Sequence, residues 1–289
     1  MNHRWHAVVT ITYRRIYETV ISPSLYVAIS LGLLLGYFLV TGFVQAVDTS
    51  GLNYFLNPVY ELIARALSGT FGETYVIKLF AEGPYLFALY VSFLPFLLYM
   101  AISSVFRFGL EKNIGAMELV TYGPADVTSY FLAFLIRNIF FTLIYCAVLL
   151  GFFSLTALLN NLVLGPQFFY GLLMAVFLSV AVYAYGSLTS TLVDNASVGT
   201  AVFGGILVFL ILIQMGSFTI ASGYVRSLSS VISSLVQWVS PLFYWSQGFS
   251  MVEYGNVGGY LLNLIFLIGL SLVLVLASHF AAKSRGVRE

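Results

Sequence analysis

Long runs of uncharged, mostly apolar residues dominate the pattern along the chain. Five intervals between charged side chains enclose 29, 24, 56, 31 and 29 uncharged residues: Glu18 to Asp48, Glu82 to Arg107, Arg137 to Asp194, Asp194 to Arg226 and Glu253 to Lys283. A helix that crosses a bilayer needs about 20 mostly apolar residues. Each interval is therefore long enough for at least one membrane-spanning helix.

The 56-residue interval is long enough for two spans. It is broken by NNLVLGPQ at 160–167, where Asn, Gly and Pro supply turn chemistry and the residue before proline is biased away from helix. The pattern therefore predicts an all-α, polytopic membrane protein with six transmembrane helices. The predicted spans are 24–46, 84–106, 128–158, 167–192, 198–220 and 257–280.

The distribution of lysine and arginine predicts the orientation. An even number of spans places both termini on one side, and the side richer in lysine and arginine is normally cytoplasmic. With both termini inside, nine cations fall on or near the inner face: Arg4, Arg14, Arg15, Arg107, Lys112, Arg137, Lys283, Arg285 and Arg288. Three fall outside: Arg65, Lys78 and Arg226. Both termini are therefore predicted to be cytoplasmic.

Several polar segments between the spans have helical patterns of their own. Residues 1–22 predict a cytoplasmic interfacial helix that leads into the first span. The extracytoplasmic segments are predicted as 47–83 and 221–256. Within them, Asn57–Gly69 predicts a short surface helix that has Pro58 in its first turn, and 231–245 predicts a surface or half-inserted helix. The whole chain, 1–289, is predicted to be one transmembrane domain.

Composition agrees with lipid as the main solvent. Hydrophobic residues make up 60% of the 289 residues and charged residues 8%, and the mean hydropathy is +0.97. The formal net charge of +1 gives no support for nucleic-acid binding, which normally needs a basic surface. The single cysteine, Cys146, provides neither an intrachain disulfide nor a thiol metal site.

One charged stretch stands out, EKNIGAMELVTYGPADV at 111–127. The surrounding segment, 107–127, predicts a short amphipathic cytoplasmic helix that begins weakly at Gly115 and ends at the Gly123-Pro124 pair. One interpretation is a helix to which a soluble partner binds. The alternative is an ordinary solvated connector, because charged faces are usually only solvated.

GAMELVTYGP at 115–124 resembles the coupling-helix signature of type-2 ABC exporter permeases. Gly115, Glu118, Leu119 and Pro124 match that signature, as does Glu111 before it, whereas alanine replaces the usual threonine at position 116. Three further segments resemble the family in order and spacing: ISPSLYV at 21–27, GSLTSTLVDNASV at 186–198 and SPLFYWSQGF at 240–249. The resemblance covers most of the chain.

The resemblance implies the membrane subunit of an ATP-driven exporter in a prokaryotic plasma membrane. Two permease chains, identical or different, would work with two ABC ATPase subunits that bind ATP and Mg²⁺. The carboxylates of Glu111 and Glu118 are expected to contact basic groups of the ATPase. The largely apolar spans favour a hydrophobic or amphipathic cargo.

The chain itself is not expected to be an enzyme or to bind a cofactor. A phosphate-binding loop places Lys and then Ser or Thr after a glycine-rich turn, and none of Lys78, Lys112 and Lys283 follows one. His3 and His6 form an H-x-x-H pair without a third ligand nearby, so no metal site is expected. We expect the side chain of Arg137 to extend to the inner surface, with a substrate role as the alternative.

Small residues at helical spacing mark candidate close contacts between helices. Ala28, Gly32 and Gly36 recur every fourth residue in the first span, and Gly204 and Gly205 lie in the fifth. Such spacing lets helix backbones approach closely, either within one chain or between two chains. The resemblance implies a permease–permease interface formed by spans one and five.

Two other classes of function fit six apolar spans. A secondary transporter would show inverted repeats, interrupted spans or buried ionisable groups, and none is convincing in the sequence. A non-transporting membrane anchor of an ATPase complex remains the other alternative.

Overall fold

The structure, a computed structural model, describes residues 2–50, 84–115, 127–160, 162–193, 195–221, 238–253 and 255–285. Within these ranges the chain is helical and contains no strand. The helices in chain order are α1 (Asn2–Ile21), α2 (Pro23–Ser50), α3 (Pro84–Asn113), α4 (Val127–Leu159), α5 (Pro166–Leu192), α6 (Ala196–Ala221), α7 (Pro241–Glu253) and α8 (Val257–Arg285). The predicted all-α fold is confirmed for these ranges. The predicted surface helix at Asn57–Gly69 lies outside them.

Proline and asparagine set the helix starts. Four helices begin with proline, whose missing N–H costs nothing in the first turn: Pro23, Pro84, Pro166 and Pro241. At the starts of α6 and α8, the side chains of Asn195 and Asn256 accept hydrogen bonds of 2.9 Å from the backbone N–H groups of Ser197 and Gly259. These are N-caps, which satisfy donors that a helix leaves without an internal partner.

Five of the helices are long and apolar enough to cross a membrane: Pro23–Gly42, Tyr85–Asn113, Ser129–Leu159, Pro166–Leu192 and Val257–Ala281. The chain thus has the helices of an integral membrane protein. The sixth predicted span, 198–220, coincides with α6, which is helical for 26 residues. Its described apolar part, Ala196–Leu210, is too short by itself to cross a membrane. A sixth span therefore stays a prediction.

Helices α3 and α5 form the centre of the bundle. Helix α3 packs against α2, α5 and α6, and α5 also contacts α4, α7 and α8. The core between them is rich in fully buried aromatic side chains, among them Phe93, Phe96, Phe153 and Trp245. The outward faces are apolar too, as at Ile265 and Val273 of α8, which are 67% and 64% exposed. An apolar exterior over an apolar core is the pattern expected of a bundle surrounded by lipid.

Helix α7 lies inside the bundle rather than on top of it. Just before its start, the carbonyl oxygen of Val239 accepts a 2.6 Å hydrogen bond from the hydroxyl of Tyr185, a residue in the second half of α5. Further along α7, Trp245 stacks on Tyr90 of α3, with 4.3 Å between ring centroids. Part of the segment predicted as extracytoplasmic, 221–256, therefore packs among the other helices, whereas residues 231–237 of the predicted surface or half-inserted helix lie outside the described residues. Tyr185 satisfies a carbonyl that the break before Pro241 leaves without a helical partner.

Candidate functional site

The C-terminal halves of α3, α5 and α8 lie beside the N-terminal ends of α2, α4 and α6 at one end of the bundle, which we call the charged end. Two contacts illustrate this arrangement. The hydroxyl of Tyr99 in α3 donates to Ser22 before α2 at 3.2 Å, and the ring centroids of Phe131 in α4 and His279 in α8 are 6.3 Å apart. Helix α1 packs along α4 at this end.

A partly buried ion pair joins α1 to the end of α3. The guanidinium of Arg15, whose side chain is 6% exposed, donates to the carboxylate of Glu111, which is 24% exposed. The same guanidinium donates to the hydroxyl of Tyr130 in α4 and lies 4.7 Å from the centre of its ring. Partial burial and the second partner make this pair more than a solvated surface contact.

Arg137 forms a second link between the same three helices. Its side chain is buried, and it donates to Thr19 of α1 at 2.9 and 2.7 Å, to Ser104 of α3 at 3.3 Å and to Asn138 of α4 at 2.8 Å. The hydroxyl of Thr19 in turn donates to its own helix, to the carbonyl of Arg15 at 2.7 Å. The predicted extension of Arg137 to the inner surface is therefore wrong. Neutral oxygens inside the bundle satisfy the guanidinium, so it has no need to reach water.

More exposed charges line a groove beside the Arg15–Glu111 pair. Glu18 of α1 accepts from Arg14 at 2.9 Å and lies 3.7 Å from a guanidinium nitrogen of Arg107 in α3. Glu18, Arg107, Leu110 and Glu111 line an open groove of about 320 Å³. Because the carboxylates and the cation are already paired within the chain, the groove is close to electrically balanced.

The end of α3 also contacts the turn between α5 and α6. The ammonium group of Lys112 donates to the carbonyls of Thr191 at 3.3 Å and Val193 at 3.5 Å, at the C-terminal end of α5. A cation in this position also interacts favourably with the helix dipole. One turn earlier, a Cβ built on Gly109 would lie 2.7 Å from Cα of Ala196, so α3 approaches the first residue of α6 very closely.

The first residues of the predicted coupling segment belong to α3. Residues 107–113 do not start a separate helix but continue α3 beyond the predicted end at 106. Gly115 has a positive φ of 68°, the left-handed conformation with which helices commonly end. Glu111 therefore lies in α3 and pairs within the chain. Three further predicted coupling residues lie outside the described residues: Glu118, Leu119 and Pro124.

The small residues of the first span face the chain's own interior. A Cβ on Gly32 would overlap Tyr145 Oη and the carbonyl oxygen of Ser92, and one on Gly36 would lie 2.5 Å from Ser92 Oγ. Ala28 is buried as well. Packing within the chain thus explains the small side chains at 28, 32 and 36, and no subunit interface is needed for them.

The two glycines of α6 differ from those of α2. In the described part of the chain, a Cβ on Gly204 or Gly205 would have no atom within 4 Å. Their assignment to a subunit interface stays a prediction.

The described residues contain no group of three or more His, Cys, Asp or Glu side chains able to hold a metal ion. His6 is exposed on α1, and the side chain of His3 lies outside the described part of the chain.

Four contributors to the charged end were missed as site residues in the sequence: Arg15, Thr19, Lys112 and Tyr130. One available signal was the i, i+4 spacing of Arg15 and Thr19, which places them on one helical face. Tyr130 and Lys112 carried no local signal, because their partners are 115 and 79 residues away in sequence.

Neither family models nor the sequences of curated proteins match this chain.

Proposed function

We propose that this chain is the membrane-spanning subunit of an ABC exporter of the second type, in a prokaryotic plasma membrane. Two such chains, identical or different, act with two ABC ATPase subunits that bind ATP and Mg²⁺. This chain carries the cargo path and does not hydrolyse ATP. The support is the order and spacing of four segments that resemble the family, together with long apolar helices at the predicted positions.

The observation that carries the proposal is the set of links at the end of α3. Glu111 is tied to α1 through Arg15, and the next residue, Lys112, is tied to the end of α5. Residues 116–126 follow directly in the chain. A force applied to this segment from the cytoplasm would reach α1, α3 and α5 together, because the links lie within one turn of α3.

This geometry changes which carboxylate is proposed to contact the ATPase. Glu111 already has Arg15 as its partner, so its role is to fix the end of α3. Glu118, seven residues further on, is the proposed contact with a basic group of the ATPase. Binding and hydrolysis of ATP would then move the segment that includes Glu118, and α3 with it.

A secondary transporter fits less well. Coupling to protons needs a side chain that gains and loses a proton, whereas an arginine guanidinium stays protonated in proteins. In the described part of the chain, the guanidinium of Arg137 is buried among α1, α3 and α4, and its hydrogen-bond partners are all neutral. It is the one charged group there of which this is true. Its hydrogen bonds to three helices fit a structural role better than a role in proton transfer.

The proposal is tested by purifying the chain with the ABC ATPase encoded beside it. Complex formation and ATPase rate are compared for wild type, Glu118→Arg and Glu253→Arg. The control, Glu253→Arg, reverses a charge on the side predicted to be extracytoplasmic. We expect Glu118→Arg alone to lose binding or membrane-subunit-dependent ATPase activity. Failure of the wild-type chain to bind the ATPase, or an equal effect of both variants, contradicts the proposal.

A further inference from the structure

Helix α3 contains a proline in the middle of its membrane-spanning part. Pro95 lies 11 residues after the start of α3 and 18 residues before its end. Proline has no backbone N–H, so the carbonyl of Val91, four residues earlier, loses its helical donor, and the ring presses on that carbonyl. The helix is therefore weakest at this turn.

A tyrosine from the neighbouring helix bonds to the weakened turn. The hydroxyl of Tyr145 in α4 donates to the carbonyl oxygen of Ser92 at 2.7 Å. The ring of Tyr145 also stacks on Phe96, with 4.2 Å between centroids and 20° between ring planes. Tyr145 thus holds the residues that flank Pro95 from outside α3, by a hydrogen bond to Ser92 and by ring contacts with Phe93 and Phe96.

Helix α2 has a glycine at the position that lies against this contact. Gly32 lies against both Tyr145 Oη and the Ser92 carbonyl, and any larger residue there would displace them. Ser92 itself is buried, and its hydroxyl has no hydrogen-bond partner in the described part of the chain. A buried hydroxyl without a hydrogen-bond partner lowers the stability of the folded state. A contact that served only to hold the helices together would be expected to pair this hydroxyl.

The two halves of α3 are attached to different neighbours. The half after Pro95 holds the charged end through Ser104, Glu111 and Lys112. The half before it contacts the inserted helix α7, where Tyr90 stacks on Trp245. A weak point between two differently anchored halves lets one half move relative to the other.

We infer that Pro95 is a pivot in α3 and that the hydrogen bond from Tyr145 to Ser92 is a latch that holds the pivot in the conformation of this structure. Release of the latch lets the half of α3 that ends at the charged end tilt, while the half beside α7 stays in place. Because about 27 Å of helix separates Pro95 from Asn113, a tilt of about 10° moves that end by about 5 Å. This motion belongs to the chain itself and holds whether or not an ATPase drives it.

The test measures distances between spin labels in the full-length chain in nanodiscs. Cys146 is replaced by alanine, and one label pair is placed at Ile114→Cys and Phe280→Cys, both exposed and both at the charged end. The control pair, Leu158→Cys and Leu261→Cys, lies at the opposite end and does not involve α3. Labelled protein is diluted with unlabelled chain, so that only distances within one molecule contribute.

Two substitutions are expected to change the spread of the 114–280 distances in opposite directions. Tyr145→Phe removes only the hydroxyl, and we expect the 114–280 distances to broaden or shift by about 5 Å while the control pair is unchanged. Pro95→Ala restores the missing N–H, and we expect the 114–280 distribution to narrow.

An unchanged 114–280 distribution in Tyr145→Phe overturns the latch, and so does an equal change in the control pair, which would mean general loosening. An unchanged distribution in Pro95→Ala overturns the pivot. None of these outcomes depends on ATPase binding.

Discussion

Arg137 of α4 donates two hydrogen bonds to the single hydroxyl of Thr19 in α1, 118 residues away in sequence, at 2.9 and 2.7 Å. The hydroxyl of Thr19 itself donates a hydrogen bond to the carbonyl of Arg15. All the hydrogen-bonding positions of the Thr19 hydroxyl are therefore occupied, and Thr19 links α1 to α4 at a point where both side chains are buried.

Thr19→Val should weaken the fold more than a comparable change elsewhere in α1. The valine leaves two donors of a buried guanidinium without a partner, and hydrogen bonds to charged groups contribute about 1.5–3 kcal/mol each to the free energy of unfolding. Thr10→Val is the matched control, because Thr10 is exposed and bonds only to the carbonyl of His6 in its own helix. Unfolding in SDS measures both variants, and equal losses would contradict the role of Thr19.

The Arg15–Glu111 pair should show a larger coupling energy than the Arg14–Glu18 pair. A double-mutant cycle with Arg15→Gln and Glu111→Gln is expected to give about 1–3 kcal/mol, in the range of buried, hydrogen-bonded neighbours. The matched cycle with Arg14→Gln and Glu18→Gln is expected to give about 0.5 kcal/mol or less, because the Arg14 side chain is 80% exposed. Similar coupling energies in the two cycles would mean that burial does not strengthen the first pair.

Gly32→Ala should lower the stability of the single chain, whereas Gly205→Ala should affect only the association of two chains. The alanine at 32 meets Tyr145 and a backbone carbonyl, and overpacking of this kind costs about 1–3 kcal/mol of unfolding free energy. Among the described residues, no atom lies within 4 Å of an alanine Cβ at 205. If Gly205 lies at an interface between two chains, Gly205→Ala lowers the dimer fraction in nanodiscs and leaves monomer stability unchanged. An unchanged dimer fraction removes Gly205 from the interface.

The predicted topology is testable with membrane-impermeant thiol reagents on a Cys146→Ala background. Val163 and Ile114 are 87% and 66% exposed and lie at opposite ends of the bundle. We expect Val163→Cys to react in intact cells and Ile114→Cys only after the membrane is opened. The reverse pattern would invert the orientation, and equal reactivity of both sites would contradict a spanning bundle.

The sequence predicts the positions of the helices well because their ends are set by charge spacing, proline and asparagine, which are local features. Pro166, for example, lies in the predicted break at 160–167 and starts α5. The sequence does not predict which face of a helix is buried. In α8, Leu267 is buried and Ile265 and Val273 are exposed, although all three are apolar. In lipid, both faces of a helix favour apolar residues, so hydrophobicity no longer distinguishes inside from outside.

Long-range pairing explains the remaining differences. The depth of Arg137 in its helix suggested a side chain that extends to the surface, but its partners come from α1 and α3. Glu111 matched a partner-binding motif, but a cation 96 residues earlier in the chain binds it first. Such contacts depend on the tertiary arrangement of helices, which a single sequence does not reveal.

We propose that the segment after α3 contacts an ABC ATPase on the cytoplasmic side, and a photocrosslinking residue at position 118 would detect this contact. The same residue at position 163, at the opposite end of the bundle, is the control. In membranes that contain both proteins, we expect a crosslink to the ATPase from position 118 and none from position 163. Absence of a crosslink from 118, or equal crosslinking from both positions, would contradict it.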